Sequence, residues 1–79
     1  MLESHDLFHE FPEHAETIRK LMLSNDDFVK MARDYDDVDH KIHRIEQRVE
    51  AASHTYEEEL KKIRVALKDR LYAAILAAA

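Results

Sequence analysis

The chain has 79 residues, with 12 Lys and Arg against 17 Asp and Glu, so its formal net charge is −5 with histidine neutral. It contains no glycine, no cysteine and one proline. These counts exclude disulfides, thiol catalysis and Cys-ligated zinc, and they argue against phosphate-binding loops and general nucleic-acid binding. No apolar run approaches the roughly 20 residues that span a bilayer, so we expect a soluble cytoplasmic protein of one domain, residues 1–79.

The first predicted helix covers about residues 12–23. Pro12 suits the first turn of a helix, because its missing N–H needs no partner there. The apolar residues that follow form one stripe: Ala15, Ile18, Leu21 and Met22. Phe8 and Phe11 extend the same spacing backwards, which leaves open a start as early as Ser4 with a kink at Pro12.

An unbroken heptad seam predicts a long second helix, about residues 26–52. Its apolar residues alternate steps of three and four: Phe28, Met31, Tyr35, Val38, Ile42, Ile45, Val49 and Ala52. Such a stripe faces one long partner helix. Ser24 or Asn25 supplies the N-cap, and Asp26 and Asp27 place negative charge where the helix dipole favours it.

The third predicted helix covers about residues 56–77, and Thr55 with Glu58 has the spacing of a capping box at its start. The short turn at 53–55 makes the two long helices antiparallel. The predicted fold is therefore all-α: an antiparallel, coiled-coil-like helical hairpin preceded by a short N-terminal helix.

Folding the chain about this turn aligns five apolar layers in one register. The predicted layers are Val49 with Leu60, Ile45 with Ile63, Ile42 with Leu67, Val38 with Leu71 and Tyr35 with Ala74. Opposite charges meet on both flanks in the same register. The predicted contacts are Glu46 with Arg64 and Arg48 with Glu59.

Two short motifs accompany the heptad positions. They are Asn-x-x-Phe at Asn25 and Phe28, and Leu-Lys-Asp-x-Leu-Tyr from Leu67 to Tyr72. Together with the seam they resemble the YdcH-like family of small bacterial proteins, over nearly the whole chain. The resemblance implies a helical hairpin with coiled-coil character and no assigned activity, and it supplies no catalytic residue and no cofactor. The many histidines and the alanine-rich end depart from that family's pattern.

Six histidines offer an alternative chemistry. His5 and His9 are one helical turn apart, with His14 nearby, so a helical N-terminus would let the first two share one divalent metal ion. The sequence from His9 to His14 differs from a zinc-protease helix, because the second histidine falls five residues after the first and Pro12 interrupts the turn. We favour surface histidines without a ligand role, and we predict no metal and no cofactor.

A second pair, His40 and His43, faces away from the seam. Asp36 and Asp39 precede these histidines by four residues each, a spacing that favours protonated imidazole. A solvated helix face is the favoured interpretation. The alternative is a surface that responds to pH or metal, because six added positive charges would move the net charge from −5 to +1.

Apolar residues at the open end of the hairpin predict an interface, formed by Phe28, Met31, Ile75 and Leu76. The first two lie opposite alanines, and the last two widen the third helix's apolar face beyond what one partner helix buries. We expect the first helix and a second subunit of the same chain, in a homodimer, to cover this surface. The predicted function is a non-enzymatic, self-associating interaction module that also docks an unidentified protein; the alternative is a metal- or pH-responsive binding protein.

Overall fold

The computed structural model describes residues 5–79, with side chains from Leu7 onward. Its elements in chain order are α1 (His5–Glu10), a 3-10 turn (Pro12–His14), α2 (Ala15–Ser24), α3 (Asp26–Glu46) and α4 (His54–Ala78). The described residues contain no strand, which confirms the all-α prediction. The long helices α3 and α4 pack against each other as an antiparallel hairpin.

Pro12 divides the region before α2 into two short helices. Because proline has no N–H, α1 cannot continue through this position. The chain turns at Phe11, whose N–H donates to the Leu7 carbonyl at 3.0 Å. Helical structure therefore begins well before residue 12, as the alternative reading with a kink at Pro12 expects, while Ser4 itself lies outside the described residues.

Asn25 alone connects α2 to α3. Its backbone is extended, and its side-chain oxygen accepts a hydrogen bond from the Phe28 N–H at 3.0 Å. Its own N–H donates to the Leu21 carbonyl at 2.9 Å. Of the two predicted N-cap residues, the structure therefore uses Asn25, while the Ser24 hydroxyl donates to the Lys20 carbonyl at 2.7 Å.

The prediction that the second helix reaches residue 52 is wrong, because α3 ends at Glu46. Arg48 has a φ of 61°, which places it in the left-handed region. The Val49 N–H donates to the Arg44 carbonyl at 2.9 Å, and the Arg48 N–H donates to the Ile45 carbonyl at 3.0 Å. This pair of bonds is the Schellman motif, which satisfies the last carbonyls of a helix while the chain leaves its axis.

The N-cap of α4 is Ser53, and the predicted capping box at Thr55 is wrong. The Ser53 side-chain oxygen accepts a hydrogen bond from the Tyr56 N–H at 3.1 Å. Because α4 begins at His54, Thr55 already lies inside the helix. The connection between α3 and α4 is thus residues 47–53, longer than the predicted turn.

The longer connection changes the register of the hairpin. At the turn end, Ile42, Ile45 and Leu60 form one buried cluster. Val49 is 69% exposed and Ile63 is 45% exposed, so the two predicted layers that contain them do not form. Val49 is exposed because α3 stops before it, and Ile63 is exposed because it lies beside the face of α4 on which Leu60, Leu71 and Ile75 are buried.

The ion pairs between α3 and α4 also differ from the predicted register. Arg64 Nη1 contacts Asp39 Oδ1 at 2.8 Å, rather than the predicted Glu46. Glu46 instead lies 3.9 Å from Lys61 Nζ. Opposite charges still meet along the hairpin, but with different partners from those that a three-residue turn predicts.

A larger core fills the open end of the hairpin, where α3 begins and α4 ends. We call its hairpin residues the open-end core: Phe28, Ala32, Tyr35, Leu71 and Ile75. The N-terminal segment, residues 5–24, covers this core with Leu7, Phe11 and Ile18. These three side chains are buried, so the N-terminal segment is an integral part of the described fold.

Candidate interaction surface

A line of apolar side chains remains exposed on α4. Val65, Tyr72 and Leu76 are spaced by seven and four residues, which places them on one face of the helix. They are 56%, 41% and 50% exposed, respectively. The buried residues of α4 lie on a different face: Leu60, Leu71 and Ile75. The exposed line, which we call the α4 stripe, is therefore apolar surface that the hairpin itself does not use.

The N-terminal segment holds the ring of Tyr72 in place. The ring stacks on Phe11, with centroids 5.1 Å apart and planes 13° from parallel. His14 approaches the same ring edge-on, at 6.2 Å between centroids. Offset stacking and edge-to-face packing are favourable aromatic geometries, so the exposed part of Tyr72 is presented in a fixed orientation.

Charged residues flank the α4 stripe differently on its two sides. On one side, Lys62 and Asp69 are exposed, and neither makes an ion pair with another residue in the described range. On the other side, Lys61 and Lys68 already have carboxylate partners within the chain. Those partners are Glu46, Glu57 and Glu58 for the first, and Glu10 for the second. One flank therefore retains a lysine and an aspartate that are available to a partner.

The four predicted interface residues differ in how far they are exposed. Phe28 and Ile75 are fully buried within the chain, covered by the N-terminal segment. Met31 is partly buried against the same core, whereas Leu76 keeps half of its surface exposed. Intramolecular packing thus encloses the first two, and the role of these residues in an interface stays a prediction.

Val65 and Tyr72 are the residues of the α4 stripe that the predicted interface leaves out. Their relation to Leu76 is visible in the sequence as a second apolar spacing on the third helix. The predicted interface considers only the open end of the hairpin. A search for a second apolar stripe on each amphipathic helix would have found Val65.

Two aspartates that the sequence placed among solvated residues are buried in α3. Asp36 is 2% exposed and Asp39 is 8% exposed. Arg64 binds Asp39 from the neighbouring helix, and His43 Nε2 lies 3.7 Å from the second carboxylate oxygen of Asp39. This arrangement fixes the spacing of α3 and α4 through a charge-assisted hydrogen bond.

The predicted metal candidates are distributed over the N-terminal segment. His9 is exposed at the end of α1, and His14 packs on Tyr72 beyond the break at Pro12. His5 precedes Leu7, where the described side chains begin. In the part of the chain whose side chains are described, no three His, Asp or Glu residues converge as a metal site requires.

His40 and His43 line an open surface cleft of about 470 Å³ together with Asp39, Arg44 and Gln47. Both histidines are exposed. The response of this surface to metal or to pH stays a prediction.

Fold and surface together define a small α-helical hairpin with an apolar stripe. Residues 28–75, more than half of the chain, match the family described as "Protein of unknown function (DUF465)". The chain belongs to this family, which confirms the resemblance seen in the sequence. The match covers the hairpin from Phe28 to Ile75, and α1 and α2 precede it. No curated protein and no solved structure matches the chain.

Among residues 5–79, every helix is too short or too polar to cross a membrane.

Proposed function

We propose that this protein is a cytoplasmic, non-enzymatic helical-hairpin module that self-associates through the α4 stripe. The observation that carries the proposal is the exposure of Val65, Tyr72 and Leu76 along one face of a helix. Several exposed apolar side chains on one face of a helix are a feature of protein–protein contacts. Docking of a further, unidentified protein is a second role that the same module would serve.

A second copy of the chain is the partner that the flanking charges favour. Lys62 precedes Val65 by three residues, and Asp69 follows it by four, on the same side of α4. A two-fold, antiparallel pairing of two α4 helices centred near Val65 places Lys62 of one copy opposite Asp69 of the other, and it covers Tyr72 and Leu76 with the first turns of the other copy's α4. The symmetry forms this contact twice.

The opposite flank is compatible with the same pairing, although it brings lysines together. Lys61 of one copy lies opposite Lys68 of the other, and two positive charges alone would repel each other there. Their charges are offset within each protomer by nearby glutamates. Complementary charge on one flank and offset charge on the other therefore support an isologous dimer.

Charge reversal tests this pairing directly. We expect Lys62→Glu to weaken the dimer about tenfold, because it places two carboxylates opposite each other at two symmetric contacts. Adding Asp69→Lys to the same chain restores the opposite charges and should return the dissociation constant to near the wild-type value. Sedimentation equilibrium gives the constants, and a double variant no tighter than the single one would overturn the proposed register.

Substitutions of two exposed leucines, one inside the α4 stripe and one outside it, test the apolar part of the contact. Leu76→Ser removes an apolar side chain from the α4 stripe in both copies, and we expect a dissociation constant about tenfold higher. Leu23→Ser makes the same change at an exposed leucine of α2, outside the stripe, and should leave the constant unchanged. Equal effects of the two substitutions would contradict an interface at the α4 stripe.

A further inference from the structure

The open-end core of the hairpin is covered by one continuous stretch of the chain. Leu7 and Ile18 of the N-terminal segment are fully buried there, and Phe11 is nearly so. Phe8, Leu21 and Met22 pack around them. The hairpin thus presents a groove between α3 and α4 that binds an amphipathic helical segment.

Polar and aromatic contacts give this groove specificity for its occupant. Glu10 forms an ion pair with Lys68 of α4. Phe11 stacks on Tyr72 one turn further along the same helix. Both contacts join residues of the N-terminal segment to residues of α4, so a segment supplied by another copy of the chain would make them equally well.

The connection between segment and groove depends on one residue. Asn25 alone separates α2 from α3, and its extended backbone directs the N-terminal segment back onto its own hairpin. The bend is held by the hydrogen bond from the Phe28 N–H to the Asn25 side chain. A helical conformation at Asn25 would join α2 and α3 into one straight helix and carry the segment away from its own groove.

We propose that the N-terminal segment is exchangeable between copies, so that residues 5–24 of one copy occupy the open-end core of a second. The exchanged form keeps every contact between segment and groove and changes only the backbone at the hinge, Asn25. This inference goes beyond the proposed function, because it uses the groove between α3 and α4 at the open-end core and does not require the α4 stripe.

Cross-linking between single-cysteine variants tests the exchange, because the natural chain has no cysteine. Glu10→Cys and Lys68→Cys are prepared separately, mixed, equilibrated and treated with a short bismaleimide. We expect a covalent heterodimer whose cross-linked peptide, identified by mass spectrometry, joins positions 10 and 68. The matched control replaces Lys68→Cys by Lys41→Cys, at an exposed position on α3, and should give no such heterodimer.

The double variant Glu10→Cys/Lys68→Cys shows that the reagent bridges the two positions. If it cross-links within a monomer while the mixed single variants yield no heterodimer, segment exchange is overturned. If the heterodimer forms and persists when the α4 contact is weakened, the segment of one copy lies on the hairpin of the other.

Substitution at the hinge supplies a second readout. Asn25→Ala removes the cap and favours a continuous helix, so we expect about fivefold more heterodimer at equilibrium. Asn25→Ser retains a capping oxygen and should resemble the natural chain. No difference between these two variants, with both still helical by circular dichroism, would contradict Asn25 as the hinge.

The exchange and the proposed function fail separately. In the Leu76→Ser background, the α4 contact is weakened but the groove is intact, so the heterodimer cross-link should persist. Loss of the cross-link together with the α4 contact would show that the segment is not exchanged on its own and would overturn the inference.

Discussion

Arg48 occupies a backbone conformation that an amino acid with a side chain adopts at a cost. Its φ of 61° lies in the left-handed region, where the Cβ atom crowds the following carbonyl oxygen. Glycine is the usual residue at this position of a Schellman motif, and the chain contains none. The hydrogen bonds to Arg44 and Ile45 hold the conformation, so the end of α3 retains local strain.

Replacing this residue by glycine should therefore stabilise the protein. We expect Arg48→Gly to raise the free energy of unfolding by about 0.5–1 kcal/mol, the relief of strain less the added flexibility of the unfolded chain. Arg48→Ala removes the same charge but keeps the Cβ atom, so it should give no such gain. Urea denaturation measures both, and equal values for the two variants would contradict strain at this residue.

The contact between Arg64 and Asp39 should contribute more to stability than the exposed ion pairs. Asp39 is buried, and removing its guanidinium partner weakens the compensation for a carboxylate shielded from water. We expect Arg64→Met to lower the free energy of unfolding by about 1–3 kcal/mol. Lys61→Met, which removes more exposed ion pairs, should cost less than about 1 kcal/mol.

A double-mutant cycle isolates the energy of this contact. Asp39→Asn combined with Arg64→Met should cost less than the sum of the two single substitutions. Additive effects would show that the two side chains do not stabilise each other.

At the scale of elements, the register of α3 against α4 distinguishes the observed fold from the one that the heptad pattern predicts. Ile42 is fully buried between the two helices in the structure. Ile63, which the pattern also places in an inner layer, is about half exposed. The two isoleucines therefore have different environments, although their sequence patterns are alike.

Introducing a charge at each isoleucine tests the register. Ile42→Asp buries a carboxylate without a partner among apolar side chains, so we expect loss of the folded state. Ile63→Asp places the same group at a partly exposed site, so most of the helical signal and a cooperative melt should remain. Far-UV circular dichroism measures both, and equal unfolding by the two variants would support the heptad register instead.

These elements also show how far the sequence determines the fold. The inward stripe of α3 and the cap at its start depend on side chains close in sequence, and Asn25 was one of the two residues expected at that cap. The end of α3 was not foreseen, because the apolar spacing continues through Val49 and Ala52, while the turn at Arg48 depends on backbone hydrogen bonds that no side-chain spacing indicates. The heptad pattern is therefore a weak guide to where a helix ends.

The candidate surface was foreseen only in part, for a similar reason. Leu76 was expected at an interface and is half exposed, whereas Phe28 is enclosed by the N-terminal segment. The burial of Asp39 depends on Arg64, which lies 25 residues further along the chain. Whether a side chain is exposed or buried depends here on packing between segments that are distant in the sequence. The periodicity of apolar residues along one helix does not describe that packing.

At the scale of the whole molecule, the described hairpin combines two buried cores with an exposed apolar stripe. The turn end is closed by a small cluster of Ile42, Ile45 and Leu60, while the open end is covered by the N-terminal segment. The α4 stripe lies outside both cores and is free of intramolecular cover at Val65 and Leu76 over half of each side chain or more. We therefore propose self-association through this stripe as the function.

The molar mass of the intact chain in solution tests self-association most directly. Light scattering coupled to size-exclusion chromatography, over about a hundredfold range of concentration, should give a mass near twice the 9.3 kDa of one chain at the upper end. The mass should fall towards 9.3 kDa on dilution. A constant mass of one chain across the whole range, up to about millimolar protein, would contradict self-association.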